Sequence, residues 1–207
     1  MTTLIIVRHG HTALNNGDRF RGRTDTPLDA QGIKEAEVTA QAIAARWKLS
    51  AVYTSSVSRA HVTGEIIGRP FGLAPIDEPG IIDMDYGEWT GLTFEDAKAH
   101  DPEMYRICFE RPSRFRPPKG ESFEELRGRS LAAAKAIAER HPDQTVAIVT
   151  HNVVNRVILL GFLETTTDLF WRLHQGTCAI NVIEYDGAGY GIELLNDTGH
   201  IRNMKRG

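Results

Sequence analysis

Four consecutive apolar residues, Leu4 to Val7, stop abruptly at Arg8. A short β-branched run bounded by polar and turn-forming residues predicts a strand buried on both faces. Val146 to Val149 repeats the pattern, and Ala51-Val52-Tyr53, ahead of Thr54-Ser55-Ser56, is a weaker third instance. Between these runs the apolar positions change to three- and four-residue steps. Ile33, Ala36, Ala40, Ile43, Ala44 and Trp47 recur at helical spacing, with Asp29 placed to cap them. Phe123, Leu126, Ala133, Ala134, Ile137 and Ala138 do the same behind Ser122-x-x-Glu125, a capping box. Val154, Val157, Ile158 and Leu160 predict a third helix directly after the Val146 strand. Strands alternating with helices predict an α/β fold, a three-layer αβα sandwich around a mostly parallel sheet. Cys178 to Tyr185 and Tyr190 to Leu195 flank Asp186-Gly187-Ala188-Gly189. That is a hairpin pattern, so an antiparallel edge strand is expected.

The 207 residues suit one domain, with a lid-like insertion at about 91–120. Within it, Arg111 to Gly120 carries four basic residues and three prolines and reads as a long loop. It is either a semi-rigid basic flap or ordinary solvated surface. The chain is 41% apolar and 25% charged, the balance of a globular protein rather than a disordered one. Its formal charge of −3 argues against nucleic acid as a partner. Cys108 and Cys178 stand far apart and outside any CxxC or Cys/His cluster, so neither a disulfide framework nor a zinc site is expected. No apolar run approaches the roughly 18 residues of a membrane span. No membrane partner is therefore expected, and a cytoplasmic location follows by default.

Open α/β sheets bind ligands beyond the carboxyl ends of their strands. The first strand candidate ends in Arg8-His9-Gly10-His11-Thr12, and the strand from Val146 ends in Thr150-His151-Asn152. Two histidines share one crevice if both strands are parallel and central. Arg59 falls in the first turn of the helix expected after Tyr53. Helix N-termini favour anions there, and a guanidinium adds paired donors matched to phosphate oxygens. An ordinary exposed arginine is the alternative. Asp83, Asp85 and Glu88 lie within six positions, beside glycines and aromatics. One of them is a candidate general acid, because an unactivated phosphate ester needs a proton for its leaving alkoxide.

These motifs together resemble the histidine phosphatase superfamily, also called phosphoglycerate mutase-like. Arg8-His9-Gly10-His11-Thr12 with Asn15 resembles the family signature, and Gly22 to Asp29 its second block. Ser58-Arg59-Ala60 resembles the second arginine block, and Asp83 to Gly91 the acid block. Gly120-Glu121-Ser122 resembles the lead into a long helix, and Thr150-His151-Asn152 the second histidine block. A lone RHG triplet is weak, but here six blocks keep the family's order across nearly the whole chain. There are two departures. Asp83 stands where the family uses glutamate, one methylene longer, and Asn152 stands where a glycine usually follows the histidine.

The resemblance implies a metal-independent phosphomonoester hydrolase acting on a small phosphorylated metabolite, as monomer or homodimer and without a cofactor. His9 would be the nucleophile and Asp83 the general acid and base. Arg8, Arg59, His151 and Asn15 would surround the phosphoryl oxygens. Arg21 and Gly22 would line the substrate side of the mouth, with Asn152 beside the phosphate. A phosphoglycerate mutase using the same pocket is the alternative. Family mutases carry a further insertion after the acid block, which this chain lacks, so water should reach its phosphohistidine. A non-catalytic phospholigand-binding protein of the same fold is the third reading.

Overall fold

The computed structural model describes the backbone of residues 1–16 and 18–206. Six strands form one sheet: β1 (Thr2–Arg8), β2 (Leu49–Thr54), β3 (Pro75–Asp77), β4 (Thr145–Thr150), β5 (Ile180–Tyr185) and β6 (Tyr190–Asp197). Their order is β3-β2-β4-β1-β5-β6. The first four run parallel, whereas β5 and β6 are antiparallel to their neighbours. The helices are α1 (Ala30–Ala44), α2 (Ser58–Gly68), α3 (Phe94–His100), α4 (Pro102–Glu110), α5 (Phe123–Arg140) and α6 (Asn152–Phe162). No helix among the described residues is long and apolar enough to cross a membrane.

The central strands divide their side chains between two cores. Leu4 and Ile6 of β1 face a core shared with α5 and α6, while Ile5 and Val7 face one shared with α1 and α2. This is the period-2 alternation of a strand covered on both faces. All four side chains are fully buried, each contributing roughly 1.5–3 kcal/mol relative to exposure. The expected sandwich and antiparallel edge are both present.

The expected caps are formed. The Asp29 side chain accepts from Gly32 N–H, and Ser122 and Glu125 satisfy each other's backbone N–H groups. In α1 the buried stripe differs from the apolar periodicity. Ile33 is 41% exposed and Trp47 lies beyond the helix end, whereas Glu35 and Thr39 are buried. The polar pair is inside because it is used: Glu35 accepts from His11 N–H, and the Thr39 hydroxyl bonds His200. Gly32, in the same stripe, brings α1 against the loop that follows β1.

α3 and α4 have no counterpart in the expected elements. Each starts from a polar cap, Thr93 with Asp96 and then Asp101, which sets two short helices end to end. The stretch after them, read as a long loop, is a loop apart from a 3-10 turn (Pro112–Arg114), and the fully buried Phe115 anchors it. That ring packs between Trp89 and Phe123, with centroids 5.4 and 5.0 Å away.

A Cβ at Gly32 would sit 2.0 Å from the carbonyl oxygen of His11, so a backbone shift is unavoidable. Gly32→Ala is expected to lower stability by about 1–3 kcal/mol, the usual cost of overpacking. Urea denaturation checks this; an unchanged midpoint would show that α1 does not bear on the His11 loop.

Candidate active site

The parallel pairing of β1 with β4 sets Arg8 opposite Thr150, and the His9 N–H donates to the Thr150 carbonyl at 2.9 Å. The two histidines that follow these strand ends therefore meet. Their ring centroids lie 5.3 Å apart at 59°. Both are buried, and both line a cavity of about 490 Å³. The cavity brings together the residues to which the family resemblance gives a role: Arg8, His9, Asn15, Arg21, Gly22, Arg59, Asp83, His151 and Asn152.

His9 Nδ1 lies 2.7 Å from the Gly10 carbonyl. A carbonyl only accepts, so Nδ1 carries the proton and Nε2 keeps its lone pair. Burial pushes the His9 pKa well below the usual imidazole range, and the charges of Arg8, His151 and Arg59 act in the same direction. His151, at the N-cap of α6, is bonded through Nε2 to the Ser55 hydroxyl at 2.8 Å. Its pKa is also held well below normal, first by burial and then by Arg59 and Arg8.

Asp83 is the carboxylate at the centre. Its Oδ1 accepts from Met84 N–H, and its Oδ2 accepts from Arg59 Nη2 at 2.7 Å and lies 3.3 Å from His151 Nδ1. Burial raises its pKa, against the opposing pull of Arg59. Asp85 and Glu88 are elsewhere. Asp85 caps Gly87 N–H and pairs with Arg23, and Glu88 pairs with Lys119 at the surface. Neither lines the cavity.

The remaining groups are positioned by backbone contacts. Arg59 also donates to the carbonyls of Gly22 and Thr24. Gly22 has φ +52° and passes so close to Met84 that a Cβ would lie 2.6 Å from its carbonyl oxygen. Arg8 donates to the Gln175 carbonyl at 2.7 Å. The Asn15 side-chain oxygen accepts from the N–H and hydroxyl of Thr12, which turns the chain after the first histidine block. The Asn152 side-chain oxygen, Oδ1, is buried without a partner. The cations of the Arg111–Gly120 stretch are not in the cavity. Arg116 pairs with Glu125 and Lys119 with Glu88, because Phe115 ties the stretch to the core beside them. The idea of a basic flap over the substrate is therefore corrected.

Sequence reasoning passed over several residues in the cavity or behind it. Ser55 stood in a quoted motif without a role, yet it holds His151. Phe170, Trp171 and Arg156 line the cavity from one side and Phe94 from α3 also reaches it. Arg156, in the helix that opens at His151, was within reach of helical spacing; the aromatics come from segments with no motif. Among the described residues, no three His, Cys, Asp or Glu side chains gather closely enough to hold a metal ion.

His9, His151, Arg8, Arg59 and Asp83 meet in one cavity at the ends of adjacent parallel strands, the arrangement of an anion-binding α/β site. The family model of the histidine phosphatase superfamily (branch 1) matches residues 4–198, and the chain belongs to that superfamily. It is 30% identical over 97% of its length to the bifunctional protein Rv2228c of Mycobacterium tuberculosis, covering 55% of that protein. The chain thus spans about half the length of its mycobacterial relatives. It is also 30% identical to phosphoserine phosphatase 1 of Hydrogenobacter thermophilus, covering 97% of this chain and 95% of that protein. Bacillus stearothermophilus YhfR shares the fold with a TM-score of 0.91 and 31% identity, over 97% of this chain and all of that one.

The buried neutral histidines make stability depend on pH. Below the normal imidazole pKa of 6.5 the unfolded chain takes up protons that folded His9 and His151 refuse. Stability is therefore lost as pH falls from about 6.5, by up to ~1.4 kcal/mol per pH unit per histidine. Asp83 acts oppositely: between the ordinary 3.8 and its raised pKa, the folded carboxyl holds a proton the unfolded one releases. Urea midpoints between pH 7.5 and 5 are expected to fall for the wild type and to fall less steeply for His9→Ala. Equal slopes would show that folded His9 titrates normally.

Proposed function

We propose that the protein is a phosphomonoester hydrolase that passes the phosphoryl group through a phosphohistidine on His9. The observation that carries this reading is the His9 ring itself: neutral, pinned at Nδ1 by Gly10, and surrounded by Arg8, Arg59 and His151. Nε2 attacks phosphorus in line, and the phosphoryl oxygens meet the guanidinium donors, His151 and the Asn15 amide, which stabilise the loose transition state. As the P–O bond breaks, the protonated Asp83 carboxyl gives its proton to the leaving oxygen. The resulting carboxylate then takes a proton from water, which attacks the phosphohistidine, releasing inorganic phosphate and restoring His9. Arg21, Gly22 and Asn152 would contact the rest of the substrate, and the α3–α4 segment up to Gly120 would cap the mouth as a lid-like insertion. The positive charge this scheme needs comes from side chains, so turnover without added metal is part of the proposal.

Burial of Asp83 supports its role, because desolvation raises its pKa and so favours the protonated form, against the opposing pull of Arg59. Its shorter side chain reaches the cavity because its backbone is fixed close by. Arg23 and Arg129 both donate to the Asp83 carbonyl at 3.1 Å. The names of relatives, phosphoserine phosphatase among them, support hydrolysis. Others are named as probable phosphoglycerate mutases, so isomerisation is the reading to test against.

Phosphate release from a panel of phosphomonoesters, in chelator, is the direct measurement. With 3-phosphoglycerate and a bisphosphoglycerate primer, phosphate release is expected to exceed isomerisation; the reverse balance would make the protein a mutase. An alkaline quench is expected to trap acid-labile, base-stable phosphate on His9. His9→Ala is expected to lose nearly all turnover, and substantial remaining activity would sink the covalent route.

Asp83→Asn is expected to slow alkyl phosphate hydrolysis by about a hundredfold or more, the scale of lost general acid catalysis. Single-turnover phosphoenzyme formation from p-nitrophenyl phosphate should suffer less, because p-nitrophenolate leaves without a proton. Equal losses with both esters would assign Asp83 to holding Arg59 rather than to proton transfer.

A further inference from the structure

One cation in the cavity has no part in this chemistry. Arg156 of α6 is only 8% exposed, and its Nε is buried without a partner. No carboxylate among the described residues pairs with its guanidinium, whereas Arg59 has Asp83 and Arg8 has the Gln175 carbonyl. A buried charge with no counter-ion is unfavourable unless something completes it. What surrounds Arg156 is aromatic. Its Cζ lies 4.9 Å from the Phe170 centroid and 5.3 Å from that of Trp171, and the two rings stand at 84° to each other. This corner holds the cation against π faces, fixing its orientation while leaving its charge uncancelled.

Arg156, Phe170 and Trp171 line the same cavity as His9. Arg156 comes five residues after His151, so it sits about 7.5 Å further along the axis of α6. Burial brings its pKa down to about 10, which leaves it charged at neutral pH. The site therefore has a phosphate pocket at the start of α6 and a second, unmatched cation one to two turns along. An oriented guanidinium offers parallel N–H donors, the match for a planar carboxylate.

We propose that Arg156 is a specificity-determining residue that binds a carboxylate of the substrate, so that the preferred substrates are small phosphomonoesters with a carboxylate a few bonds from phosphorus. This rests on the phosphatase reading of the cavity.

Two matched pairs test it: O-phosphoserine against O-phosphoethanolamine, and 3-phosphoglycerate against glycerol 3-phosphate. Members of each pair differ in the carboxylate. Wild-type kcat/KM is expected to favour the carboxylated member by about tenfold or more. Arg156→Gln is expected to bring that ratio close to one, mainly through KM. Arg156→Lys, which keeps the charge without the paired donors, is expected to fall between; its ratio decides the matter if the glutamine variant does not fold. No carboxylate preference in the wild type, or parallel losses on both members of each pair, would overturn the assignment while leaving the phosphatase intact. Absence of phosphate release from all four esters and from p-nitrophenyl phosphate would instead remove the phosphatase reading, and this one with it.

Discussion

The parallel ladder between β1 and β4 is the constraint on which the site depends. Both strands are buried on both faces, so neither can slip by one residue without reversing every side chain between the two cores. With the register held, Arg8 falls opposite Thr150 and the next residues on each strand are His9 and His151. The Thr150 hydroxyl donates to the Ile81 carbonyl, which ties the acid block to the same strand end. Three separated segments are thus assembled by one pairing, before any interaction among the functional groups themselves.

The electrostatics of the cavity follow from how its arginines are held. Arg59 and Arg8 donate largely to backbone carbonyls, at Gly22, Thr24 and Gln175. Arg129, behind Asp83, differs: it donates to the carbonyls of Gly80, Ile82 and Asp83 but is also paired with Glu121. Carbonyls satisfy the N–H groups without cancelling the charge, so the donors are fixed and the potential stays positive. Burial lowers the pKa of both histidines, and the neighbouring guanidinium charges add to the effect. Asp83 lies between Arg59 and His151, 2.7 Å from the guanidinium and 3.3 Å from the ring nitrogen.

The antiparallel edge also contributes. Asn181 of β5 exchanges hydrogen bonds with the Gln175 side chain, donates to the Ile6 carbonyl, and accepts from Asn196 N–H of β6. Asn155 of α6 reaches the same Gln175 oxygen. This buried amide network fixes the loop whose carbonyl receives Arg8. Gln175 and Asn181 are bonded on both sides of their amides, whereas the Asn155 side-chain oxygen is buried without a partner.

The sequence by itself determined the layer architecture, since consecutive apolar runs and three-to-four spacing are local signals that tertiary packing had no reason to override. It also brought out the histidines and arginines that meet in the cavity, because strand-end motifs in an α/β chain converge wherever the strands are parallel neighbours. It could not separate Asp83 from Asp85 and Glu88. Three carboxylates in one loop look alike until the backbone shows which one turns inward under Arg59 and which two remain with surface cations. It left α3 and α4 unmarked, because their helices are set by caps and by aromatic packing around Phe20, Phe94 and Trp89 rather than by long periodicity. It left Arg111 to Gly120 open between basic flap and solvated surface, and the exposed cations around the buried Phe115 fit the second. The role of Arg156 was hidden most completely. Whether an arginine on a helix is solvated or buried in an aromatic corner without a counter-ion depends on residues far away in the chain, and only the tertiary structure brings Phe170 and Trp171 to it.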